Sequence, residues 1–110
     1  MDLTTLTEPG HGYVTVLAHG EIDLYTAPTL REAALAAMRQ HGTTLRMDLR
    51  DVTFMDSTGI EVLLATRRRA ELEGGSLTLC RPSQAVRRII EVTGLDKMFT
   101  IAPEQPTASV

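Results

Sequence analysis

The densest group of chemistry-bearing side chains in this sequence is Asp56-Ser57-Thr58-Gly59, a carboxylate and two hydroxyls that follow the apolar pair Phe54-Met55. The run falls where a strand pattern gives way to a helix pattern. A helix start leaves backbone N–H groups without intrahelical partners, so it carries a local positive field that tolerates an added anion. A hydroxyl there can accept a phosphate at little cost to the fold. About −1.5 to −2 charges gained at one surface point then change which partner docks. Gly59, with no Cβ, is expected to let another protein's backbone approach closely. The plainer reading makes Ser57 or Thr58 a helix cap and Gly59 an aid to the turn.

The same serine could serve as a nucleophile, because it follows a strand and opens a helix as the serine of a hydrolase elbow does. Two features argue against this. Met55 stands where Gly-x-Ser-x-Gly requires its first glycine, and none of the three histidines is placed to act as its base. His11 falls in a turn, His19 ends a strand and His41 ends a helix, where positive charge suits the dipole. A non-enzymatic role is therefore expected. Arg67-Arg68-Arg69 is the only basic run, and three consecutive helical residues spread around the helix instead of forming a stripe. With a net charge of −3 as well, no direct nucleic-acid contact is expected. No clustered Cys and His spacing suggests a metal, and nothing points to a cofactor. The single Cys80 cannot form an internal disulfide; it fits a reducing cytosol and reads as a small buried residue ending a strand.

The elements that position the hydroxyl run follow from periodicity. At 110 residues the chain fits one domain, its core about residues 3–101, with a Pro-containing tail over 102–110 expected to fray. Leu3 to Thr7 and Tyr13 to His19 read as a hairpin around Pro9-Gly10-His11-Gly12, and a loop is expected over 20–25. Thr26-Ala27-Pro28 announces a helix that buries Leu30, Ala34, Ala37 and Met38 and stops at Gly42. Leu45, Met47 and Leu49 alternate with polar residues as a strand, and a loop is expected from Asp51 to Asp56. Thr58 and Glu61 have the spacing of a capping box for a second helix that reaches Gly74-Gly75. Ser76 to Cys80 is a strand, Pro82-Ser83 leads a third helix carrying Val86, Ile89 and Ile90, and a short strand near Ile101 closes the chain. Strands alternating with helices on short connections predict an α/β fold: one mixed, mainly parallel sheet, with an N-terminal hairpin and about three helices packed against it. No run approaches the roughly 20 apolar residues of a membrane span, and no basic, apolar leader opens the chain. A cytoplasmic protein without membrane contact is expected.

Asp56-Ser57-Thr58-Gly59 after Val52-x-Phe54 resembles the signature of STAS domains, specifically of anti-sigma factor antagonists. Gly20-Glu21-Ile22-Asp23, Met47-Asp48-Leu49, Val86-Arg87-Arg88-Ile89-Ile90 and Thr93-Gly94-Leu95-Asp96 resemble further family segments in the expected order, so the likeness runs from about Tyr13 to Ile101. The resemblance implies a partner switch. The unmodified domain would bind an anti-sigma factor that is also a serine kinase and so release a sigma factor, and phosphorylation of Ser57 would reverse this. A serine phosphatase is a further expected partner. The resemblance also puts Asp23 beside Ser57 at the partner surface. From their position alone, Leu24, Tyr25 and Thr26 in the same loop as Asp23, and Asp56, Thr58, Gly59, Ile60 and Glu61 around Ser57, are expected to face the partner as well. A monomer or weak dimer is expected, the first strand being expected to serve as an edge able to pair with another chain. The alternative is a STAS regulatory subunit of another assembly, such as a sensor or transporter complex, with no sigma factor involved.

Overall fold

The computed structural model describes residues 2–102. Its elements run β1 (Leu3–Pro9), β2 (Val14–Ile22), α1 (Ala27–His41), β3 (Thr44–Met55), α2 (Ser57–Leu72), β4 (Ser76–Cys80), α3 (Gln84–Val92) and β5 (Thr100–Ala102). One sheet carries the strands in the order β1-β2-β3-β4-β5, with β1 antiparallel to β2 and every later pair parallel. The expected mixed α/β architecture is what forms. The predicted tail over 102–110 lies outside the described residues except for Ala102, which ends β5.

Right-handed crossovers that step the same way across a sheet bring each helix to the same face. Burial agrees. Val14, Val16 and Ala18 of β2, Leu45, Met47 and Leu49 of β3, and Leu77 and Leu79 of β4 are buried in one core with Leu30, Ala34, Leu63, Val86 and Ile90 of the helices. The alternate positions Leu17, Arg46, Asp48 and Cys80 share the opposite face, which no helix among the described residues is placed to cover. There the buried Asp48 accepts the Arg50 N–H at 3.1 Å and pairs with the Arg81 guanidinium. Asp48 thus orders the chain around it, including Arg81, whose backbone has φ of +49°. Cys80 is buried at its strand end as expected, accepting a 3.2 Å hydrogen bond from Arg46 Nε.

Two expected loops are strand. The segment 20–22 continues β2, and Asp51 to Met55 continues β3. Pairing tertiary neighbours overrode local polarity here: Gly20 pairs Val52, Glu21 pairs Phe54 and Ile22 pairs Met55, with shifts in register after Leu17 and after Gly20. These shifts are bulges that place extra residues in β3. Such bulges re-aim side chains near functional sites. Beyond the bulges Val52 and Met55 are buried while Phe54 turns outward. At the far end of α1, Gly42 accepts the stop role by adopting φ of +100°, and its N–H donates to the Met38 carbonyl.

Candidate functional site

The site begins where β3 meets α2. Asp56, in extended conformation, is the N-cap, and its Oδ1 accepts the Thr58 N–H at 2.9 Å and the Thr58 hydroxyl. The expected Thr58/Glu61 capping box therefore gives way to a cap two residues earlier, and Asp is among the best N-cap residues. Ser57 is the first helical residue and is exposed, whereas Thr58 is half-buried. No hydrogen bond among the described residues engages the Ser57 side chain. The two adjacent hydroxyls thus live in different settings: one is committed to a carboxylate, the other faces water.

The turn after β2 lies alongside. The Asp56 N–H donates to the Ile22 carbonyl at 3.2 Å, which clamps the residue before Asp23 to the residue before Ser57. Asp23 is only 7% exposed, and its Oδ1 accepts the N–H groups of Tyr25 at 2.9 Å and Thr26 at 3.0 Å. The hydrogen bond from the Thr26 backbone, helped by that from Tyr25, outweighs burial and holds the Asp23 carboxyl below its ordinary pKa. The Thr26 hydroxyl completes the turn, accepting the Asp23 N–H at 2.9 Å and donating to the Glu21 carbonyl at 2.7 Å. With its polar groups satisfied inward, the turn pushes Leu24 and Tyr25 into solvent, 67% and 85% exposed. Leu24 then shares a shallow depression of about 200 Å³ with Arg31, Thr58, Glu61 and Val62, so the turn and the start of α2 form one surface.

Of the expected partner-facing residues, Ser57, Leu24, Tyr25 and Glu61 are exposed and Asp56 and Thr58 are half-buried. Four lie inward. Asp23 and Thr26 spend their side chains on the turn itself, and Ile60 is core. Gly59 is not an open approach for another backbone: an added Cβ would lie 2.6 Å from Met55 Cγ and 2.9 Å from Ile22 Cγ2. The glycine lets α2 settle onto the ends of β2 and β3. Sequence reasoning gave Phe54 no partner-facing role. Its side chain, 43% exposed, borders a groove of about 680 Å³ between the end of β3 and α3, which Met55, Arg88, Ile89 and Val92 also line. Simple alternation puts Phe54 on the same face as Val52, and only the bulge separates them.

The family model of the STAS domain matches residues 4–108. The chain belongs to the STAS domain family. This STAS domain is 36% identical over 102 residues to the anti-sigma-B factor antagonist of Bacillus subtilis, covering 93% of each chain. Among solved structures it resembles an anti-sigma factor antagonist from Mycobacterium paratuberculosis, with a TM-score of 0.81 and 38% identity over 93% of this chain and 86% of that one. It also resembles the anti-sigma factor antagonist SpoIIAA in its unphosphorylated form, with a TM-score of 0.74, 27% identity and coverage of 92% and 90%. The phosphorylated form of SpoIIAA from Bacillus matches with a TM-score of 0.69 and 26% identity over 92% and 93%. By sequence and by fold the domain groups with the anti-sigma factor antagonists.

Proposed function

We propose that this STAS domain is an anti-sigma factor antagonist working as a phosphorylation-controlled partner switch in the cytoplasm. Unmodified, it binds an anti-sigma factor serine kinase and so releases a sigma factor; phosphorylated on Ser57, it lets the kinase go. The observation that carries this reading is the Ser57 hydroxyl, exposed on the first residue of α2, the helix whose first turns share a surface with the outward-facing Leu24. That a relative, SpoIIAA, has a phosphorylated form supports it.

The chemistry follows from the surroundings. Leu24 and Tyr25 supply the apolar anchor that interfaces concentrate their energy in, and Ser57 sits at its margin. A phosphate there adds charge beside Asp56, must be desolvated if the surface is covered, and repels acidic groups of a docked partner. The helix start accommodates the charge, so the domain keeps its fold and the change acts at the interface. Asp23 adds little to the repulsion because its carboxylate is turned inward; its part is to hold the turn. A serine phosphatase would reset the switch.

Incubation with cognate anti-sigma factor kinases and ATP, followed by mapping of the modified residue, tests this. One phosphate on Ser57 is expected, and Ser57→Ala should abolish the label while leaving kinase binding intact. An unlabelled Ser57 with every cognate kinase would move the domain to another regulatory assembly.

A further inference from the structure

Two neighbouring hydroxyls at one helix start raise the question of what makes a kinase choose between them. We infer that Asp56 is the selector: its carboxylate holds the Thr58 hydroxyl and leaves Ser57 as the only phosphate acceptor. The inference rests on the partner-switch reading above and assigns a specificity-determining residue to it.

The geometry differs sharply across one peptide unit. Thr58 Oγ1 donates to Asp56 Oδ1, the same oxygen that accepts the Thr58 N–H at 2.9 Å, so backbone and side chain of one residue are tied to one carboxylate oxygen. The Asp56 backbone, from which that side chain projects, is itself fixed, because its N–H is bonded to the Ile22 carbonyl at 3.2 Å and its C=O accepts the Gly59 N–H at 3.0 Å. Thr58 is also half-buried, in the depression it shares with Leu24 and Val62. Ser57 has none of these ties.

Phosphoryl transfer forms a bond between the γ-phosphorus of ATP and the attacking hydroxyl oxygen. It breaks the bond from that phosphorus to the leaving ADP, and the hydroxyl proton passes to a base of the kinase. At Thr58 the proton points to Asp56 and away from any kinase base. The carboxylate also stands beside the oxygen that would meet the γ-phosphate, and like charges at that distance oppose approach. Ser57 Oγ, with no bond to the carboxylate, is free to turn toward the kinase. The opposite reading, in which Asp56 acts as a base and activates Thr58, predicts modification of Thr58 and is separated by the same test.

The test compares four proteins with the cognate anti-sigma factor kinase and ATP, each read by site mapping. Wild type should be labelled on Ser57 alone, and Ser57→Ala should lose at least about 95% of the label, with none appearing on Thr58. Asp56→Gly keeps a serviceable N-cap, since glycine there costs only a few tenths of a kcal/mol; it should be labelled on both Ser57 and Thr58, which also establishes that it folds and is recognised. The Ser57→Ala/Asp56→Gly double variant should be labelled on Thr58. Label on Thr58 in Ser57→Ala with Asp56 intact overturns the inference, as does an Asp56→Gly protein labelled on Ser57 alone. If Asp56→Gly takes no label at all, Asp56→Ser, another good cap without the carboxylate, replaces it under the same criteria. An unlabelled wild type removes the switch itself, and the inference falls with it.

Discussion

The turn at 23–26 and the helix start at 56–59 use one device for two purposes. In each, an aspartate Oδ1 accepts the N–H of the residue two positions on, and the two segments are tied together by the bond from Asp56 to Ile22. At Asp23 the carboxylate is buried and every bond serves to push two apolar side chains outward. At Asp56 it stays half-exposed and organises two hydroxyls, one held and one released. In the proposed switch the first region supplies adhesion and the second supplies control. The difference teaches that an acidic residue beside a proposed modification site need not act through its charge on a partner; it can act by shaping what its neighbours present.

Separating the two regions by mutation gives effects of graded size. Charge placed at the control region should act most strongly, because like-charge juxtaposition in an interface costs several kcal/mol. Ser57→Asp is expected to weaken kinase binding by ~100-fold or more, read by calorimetry, with an unchanged thermal unfolding curve. Full affinity would mean that Ser57 does not border the interface. Next, Tyr25→Ala in the adhesive turn should cost ~2 kcal/mol, about 30-fold in affinity, without altering phosphorylation once the kinase is saturated. A parallel loss of both would merge the two roles.

Packing beneath the two regions comes third. Gly59→Val forces a side chain against Met55 and Ile22, and overpacking of this kind costs about 1–3 kcal/mol of unfolding free energy in urea titrations. A neutral result would show that α2 can lift off its seat. Asp23→Ala should loosen the turn and lower kinase affinity by about tenfold through the ordering cost of Leu24 and Tyr25. Asp23→Asn keeps an acceptor oxygen for the same N–H groups and should bind nearly as wild type. Equal losses in both variants would point to a direct role for the charge.

The smallest effect is on pH. Asp23 is held below its ordinary value of 3.8 in the folded protein. Its contribution to the turn is therefore fully present above that value and is lost as pH falls through the lowered one. The Tyr25 amide, followed by NMR, should titrate below pH 3.8, and Asp23→Asn should remove that step. Titration at or above 3.8 would mean that the carboxylate is not engaged as described.

The chain's strands and helices were legible wherever periodicity was strong: Ser76–Cys80 and the stop at Gly42 fall where apolar spacing and glycine put them. The position of Ser57 at the start of a helix was legible because hydroxyls at a strand-to-helix junction are conspicuous. What stayed hidden depends on pairing across distance. Asp51 to Met55 looks like a loop until β2 pairs with it, and the outward turn of Phe54 exists only because of a register shift between strands. The inward aim of Asp23 and the tight seat of Gly59 are likewise properties of packed neighbours. A polar residue in a turn reads as surface until its hydrogen bonds are counted.

The unequal lengths of neighbouring strands have a mechanical consequence. β4 ends at Cys80, opposite Asp48, while β3 runs on to Met55 with only β2 beside it. The proposed switch is carried on a segment that projects past the broad part of the sheet and is strand-paired along one edge only. Such a segment can flex by local opening at far less than the cost of unfolding the whole domain. Amide protons of 51–55 should accordingly exchange with deuterium well before those of 45–49, giving the docking end compliance that the rest of the sheet never has to share.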